Sequence, residues 1–77
     1  MARRDTFGPE YRAIIDQLVA ARRAAGKTQI DLAEALGTDQ SQISKIERSE
    51  RRLDIIDYLR LCRAIGIDPG DPLRTQR

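Results

Sequence analysis

Between Gln40 and Arg48 the sequence gathers Gln40, Ser41, Gln42, Ser44, Lys45 and Arg48, a dense set of hydrogen-bonding side chains. A glutamine amide sets a donor beside an acceptor, the pair that matches the major-groove edge of adenine. Lysine donates to guanine, and serine adapts to either role. On a helical projection Gln40, Ser41, Ser44, Lys45 and Arg48 fall on one side, with Ile43, Ile46 and Glu47 on the other. The outer side then holds two cations and no carboxylate, a surface suited to a nucleic-acid groove. Exposed helix faces are polar in most domains, so the position of this helix in the fold decides what the face is for.

Capping residues and apolar periodicity place the helix. Tyr11, Ile14, Ile15, Leu18 and Val19 form one apolar stripe, which predicts a helix from Pro9 to Ala25 ended by Gly26. Thr28 and Asp31 have the spacing of a capping box, opening a second helix with Leu32, Ala33 and Leu36 inside. Gly37 ends it, and Asp39 is the N-cap of the third. Two short helices joined only by Gly37, Thr38 and Asp39 make a helix-turn-helix unit over about residues 29–48. In such a unit the second helix is the one that enters the major groove. A fourth helix is expected from about Asp54 to Ile65, with Ile55, Leu59 and Cys62 inward and Gly66 as terminator. Asp68 and Pro69 suit a fifth helix of one turn at best, because Pro72 lacks the N–H that a longer one needs. The predicted fold is all-α, with four to five helices over residues 9–73. A mobile arm is expected over 1–8, carrying Arg3 and Arg4, and a frayed tail over 74–77.

Composition excludes several functions. The chain has no histidine and a single cysteine, Cys62, so neither a metal site nor an intrachain disulfide is expected. No Gly-rich phosphate loop or activated nucleophile is in sight, which argues against an enzyme and against a cofactor. No apolar run is long enough to span a membrane, and the lone thiol with no signal peptide fits the cytoplasm and its nucleoid. The net charge of +2, from 14 basic and 12 acidic residues, is weak support for nucleic acid by itself.

The run RRAAGKTQIDLAEALGTDQSQISKIE, from Arg22 to Glu47, resembles the lambdoid phage repressor and Cro family, also called the xenobiotic-response-element (XRE) family. The matching features are Arg22 and Gly26, Thr28-Gln29, Leu32-Ala33, Leu36-Gly37, and Ile43 through Glu47. The resemblance spans about residues 11–73 and implies a compact lambda-repressor-like domain that binds double-stranded DNA and regulates transcription. It further implies that Gln40, Ser41 and Lys45 read bases, with Gln42 and Ser44 flanking them. Thr28 and Gln29 are implied to contact phosphate, Gln29 also bracing Gln40. Arg51 and Arg52, joined by Arg48, are implied backbone contacts; a solvated basic loop is the plainer alternative. Arg22 stands on the apolar stripe of the first helix, and Glu47 on the inner side of the third. The resemblance implies a partly buried ion pair between them, the alternative being that both side chains reach water.

Three positions depart from the family pattern. Ile30 stands where a polar residue is common, Ser49-Glu50 replace a frequent glycine, and Leu53 replaces a frequent proline. The fourth helix also carries more apolar residues than one core requires. Tyr58, Leu61 and Ile65, followed by Ile67 and Leu73, are therefore expected at a homodimer interface, against the alternative of a wide internal core. The expected role is a homodimeric repressor or autoregulatory controller at a near-palindromic operator, as in phage repressors and restriction–modification controllers. A protein-binding adaptor or an antitoxin on the same fold is the competing reading.

Overall fold

A computed structural model describes residues 7–74, which form five helices. These are α1 (Pro9–Ala24), α2 (Gln29–Leu36), α3 (Gln40–Glu47), α4 (Ile55–Ile65) and α5 (Gly70–Leu73). The expectations for residues 1–6 and 75–77 lie outside the described part. Phe7, expected at the root of a mobile arm, meets the Tyr11 ring edge-on at 5.0 Å between centroids. α2 packs on α3 and α4, while α1 lies against α3, α4 and α5.

Local chemistry fixes each boundary. Pro9 opens α1, where a missing N–H is harmless. Thr28 and Asp31 close a reciprocal capping box: Asp31 N–H donates to Thr28 Oγ1 at 3.0 Å, and Thr28 N–H to Asp31 Oδ2 at 2.8 Å. Asp39 and Asp54 cap α3 and α4 by accepting from the N–H groups of Gln42 and Asp57. Gly37, at φ 69°, takes the left-handed conformation that turns the chain from α2 into α3. α5 is a single turn with Pro69 at its N-cap, and Asp68 Oδ1 accepts from Gly70 N–H at 2.7 Å ahead of it.

The core joins Ile15 and Leu18 of α1, Leu32 and Ala33 of α2, Ile43 and Ile46 of α3, and Leu61, Cys62 and Ile65 of α4. This corrects the expected inner face of α4. Leu61 and Ile65, 3% and 6% exposed, are core residues of one chain and have no surface to offer a partner. Ile55, expected inward, is 73% exposed, and Leu59 is exposed as well. Both sets recur at helical spacing, so periodicity alone does not separate them. The stripe centred on Tyr58, Leu61, Cys62 and Ile65 faces the other helices. Leu59 lies roughly 110° round the axis from its centre, and Ile55 sits at the helix tip beyond the core's edge. Ile30, one of the departures, is exposed.

Leu61→Ala is therefore expected to cost about 2–5 kcal/mol, a large share of the roughly 5–15 kcal/mol available to a small domain. Ile55→Ala, measured at a concentration where the chain is monomeric, is expected to stay within about 0.5 kcal/mol. Urea denaturation of the two variants measures the difference, and equal losses would contradict this assignment of the inner face.

Candidate nucleic-acid interface

α3 presents its outer face to solvent because Ile43 and Ile46 are drawn into the core. Gln40, Ser41 and Lys45 are exposed on that face, while Gln42 and Ser44 are half-buried beside it. The N-cap already engages one of them. Ser41 Oγ donates to Asp39 Oδ1 at 2.6 Å, leaving its lone pairs as what it can offer outward. That bond and the Gln42 N–H hold the Asp39 carboxyl below its ordinary value.

Beneath the face lies a chain of charged and amide groups. Arg22, buried in the last turn of α1, donates from Nε to Glu47 Oε2 at 2.7 Å and from Nη2 to Oε1 at 3.1 Å. Its third nitrogen, Nη1, donates to the Lys27 carbonyl at 2.9 Å, between α1 and α2. Glu47 Oε1 also accepts from Gln29 Nε2 at 2.9 Å. Gln29 Oε1 in turn accepts from Gln40 Nε2 at 3.3 Å. Four side chains from three helices thus link the buried ion pair to the first residue of the outer face. Gln29 keeps one amide N–H uncommitted, at the N-terminal end of α2, where backbone N–H groups and the helix dipole favour an anion. Thr28 beside it is exposed, but its own N–H is taken by Asp31.

Beyond α3, the cations are less uniform than the sequence implies. Arg48 pairs with Glu50, Nε to Oε2 at 3.1 Å and Nη2 to Oε1 at 3.2 Å, and also donates to Ser44 Oγ. A carboxylate therefore borders the face expected to be free of acids, and it offsets the attraction of Arg48 for phosphate. Asp39 borders the other end. Arg51 is half-buried, and Arg52 is exposed with its guanidinium 4.6 Å from the Phe7 ring centroid. A cation stacked on a ring face keeps its in-plane N–H groups available.

Arg12 was not singled out by sequence reasoning. It reaches from α1 to the end of α3, where Nη1 donates to Ser49 Oγ at 2.5 Å and Nη2 to the Glu47 carbonyl at 2.9 Å. Asp16, one turn along α1, pairs with it at 3.0 Å. Ser49 is fully buried at φ 60°, the left-handed position that closes α3, with Glu50 N–H donating to the Lys45 carbonyl at 2.8 Å. Glycine fits there without cost; here serine does so with its hydroxyl held by Arg12. The departure at Leu53 has a similar account. Leu53 N–H donates to Tyr11 Oη at 2.9 Å, a bond that proline lacks the hydrogen to make. The only sequence signal for Arg12 was a cation one turn before Asp16 on the helix beside α3.

The residues expected at a dimer interface separate into three groups. Leu61 and Ile65 are core, as described. Tyr58 and Ile67 are half-buried, and the Tyr58 hydroxyl donates to the Pro69 carbonyl; burial first, then nearby Cys62, Asp68 and Asp71, push it up to about 12. Leu73 is 47% exposed and joins Ile55 at an apolar groove of about 270 Å³, also lined by Tyr11, Ile14, Leu53 and Tyr58.

Comparison with known proteins bears on the whole arrangement. A family model described as helix-turn-helix matches residues 18–71. A solved structure of an XRE-family like protein from Pseudomonas syringae pv. tomato str. DC3000 is 50% identical. The likeness covers 86% of this chain and 80% of that one, with a TM-score of 0.79. No curated protein matches.

Arg12→Ala removes two charge-assisted hydrogen bonds at the end of α3 and is expected to cost about 1.5–3 kcal/mol. Adding Ser49→Gly to that variant is expected to restore about 1 kcal/mol by relieving the left-handed serine. Chemical denaturation reads both; a wild-type midpoint for Arg12→Ala would mean that α3 is closed by its backbone alone.

Proposed function

Because the chain belongs to the XRE-type helix-turn-helix family of DNA-binding transcription regulators, we propose that it binds a near-palindromic operator as a homodimer and acts as a repressor or autoregulatory controller. One α3 enters the major groove of each half-site. Gln40, Ser41 and Lys45 read bases, with Gln42 and Ser44 flanking. Thr28, Gln29, Arg51 and Arg52 hold the phosphates, with a smaller part for Arg48 because Glu50 shares it.

The observation that carries this reading is the orientation of Gln40. A carboxylate can only accept hydrogen bonds. Glu47 therefore obliges Gln29 to turn its amide N–H inward, which leaves Gln29 Oε1 facing Gln40. Gln40 answers with one N–H, so its carbonyl oxygen and second N–H remain for an outside partner. That pair matches adenine N6–H and N7. A preset amide enters the groove with less orientational freedom left to lose, so the reading includes adenine opposite Gln40 in each half-site.

A second copy covers the surface formed by Ile55, Ile56 and Leu59 of α4 with Leu73 of α5, all exposed in the single chain. Tyr58 and Ile67 support this surface from below; Leu61 and Ile65 do not take part. Two copies joined there set their α3 helices about one DNA turn, roughly 34 Å, apart.

Gln40→Ala and Lys45→Ala are each expected to weaken operator binding by about 1–3 kcal/mol while leaving random DNA nearly unaffected. Titration of both duplexes at one salt concentration tests this, and equal losses on the two would remove the base-reading assignment. Ile55→Glu is expected to give folded monomers in sedimentation, with weaker operator binding. A dimer of unchanged affinity would place the second copy on another face.

A further inference from the structure

Arg23 lies in the last turn of α1, its side chain exposed and with no hydrogen-bond or ion-pair partner among the described residues. A helix dipole favours a cation at that turn wherever it points. What the dipole does not account for is the cleft that Arg23 borders. This polar cavity of about 230 Å³ separates α1 from the outer flank of α3 and is lined by Val19, Arg23, Gln29, Ser44, Glu47 and Arg48.

The charges lining the cleft are unevenly committed. Glu47 is matched by Arg22 at 2.7 Å, and Arg48 by Glu50 at 3.1 Å. Arg23 is the cation left uncompensated. Gln29 adds its uncommitted amide N–H from the start of α2, and Ser44 brings a hydroxyl from the outer face of α3. The cleft therefore faces an anion with a guanidinium on one wall and neutral donors on the other, adjoining the helix assigned to the groove. A guanidinium matches the oxygens of a phosphodiester in two-point geometry.

We propose that this cleft is a phosphate subsite in which Arg23 and Gln29 hold one DNA phosphodiester from two sides, so that the last turn of α1 belongs to the DNA-contacting surface. The inference rests on the DNA-binding reading above. Arg23 contributes affinity without sequence preference, since a phosphate carries no base information.

The test is a salt series of binding by fluorescence anisotropy, on operator and random duplexes of equal length, for wild type, Arg23→Ala and Arg23→Lys. Arg23→Ala is expected to bind both duplexes about three- to fivefold more weakly and to lower the slope of log K against log salt by about one. Arg23→Lys keeps the charge and is expected to keep the slope. Thermal melting without DNA is expected to be unchanged in Arg23→Lys, which keeps the cation at the helix end, and to fall by no more than about a few degrees in Arg23→Ala. A wild-type slope for Arg23→Ala, with wild-type protein binding normally, overturns the subsite and leaves the DNA-binding reading standing. Wild-type protein that binds neither duplex overturns both. Titration with inorganic phosphate, followed by the NMR signals of the Arg23 side chain, separates a small-anion site from a DNA contact. Saturation at submillimolar phosphate with an unchanged DNA slope assigns the cleft to a free anion and overturns the proposal.

Discussion

The ion pair between Arg22 and Glu47 is the constraint on which the outer face of α3 depends. Through three nitrogens Arg22 holds the end of α3 and the carbonyl of Lys27, so one guanidinium fixes the junction of α1, α2 and α3. Apolar residues of equal volume often stabilise a fold as well as a buried ion pair or better, since two charges lose their hydration on burial. Such residues would not impose direction. Glu47 can only accept, and that polarity passes through Gln29 to the amide of Gln40. The charge inside the domain is thus a device for orienting a neutral side chain at its surface.

Much of the architecture was legible in the sequence, because its signals are local. Thr28 with Asp31, Asp39 with Gln42, and the glycines closing α1, α2 and α4 act within four residues of themselves, so type and spacing suffice. The inner face of α4 was not legible in the same way. Ile55, Leu59 and Cys62 satisfy helical periodicity as well as Tyr58, Leu61, Cys62 and Ile65 do. Only the packing of α2 and α1 against α4 chooses between them. Periodicity reports that a helix has an apolar side, and the tertiary fold decides how wide it is and where it ends.

The site shows the same limit at longer range. Arg12 and Ser49 are 37 residues apart, and neither residue type announces the other. The absence of glycine at Ser49 was visible as a departure, but its compensation lay on a different helix. Glu50 was visible too, but it lies beyond the end of α3 and so outside any projection of that helix, although it moderates the charge of its face. Leu53 is the clearest case: the exception to a proline preference exists because a backbone hydrogen is needed by Tyr11.

α2 and α3 are eight residues each, well below the roughly 12–15 at which an isolated helix becomes even marginally stable in water. The helix-turn-helix unit therefore has no existence apart from the core that supports it, and a partly unfolded chain has no partly competent surface. Damage to the core outside α3, at Ile15 or Cys62, acts chiefly on the number of functioning molecules rather than on the affinity of each survivor. Occupancy of a DNA site works in the opposite direction, since any ligand that binds only the folded chain draws the population toward it. For so small a domain, how much regulator is present and how much is folded are one quantity, set in part by the DNA itself.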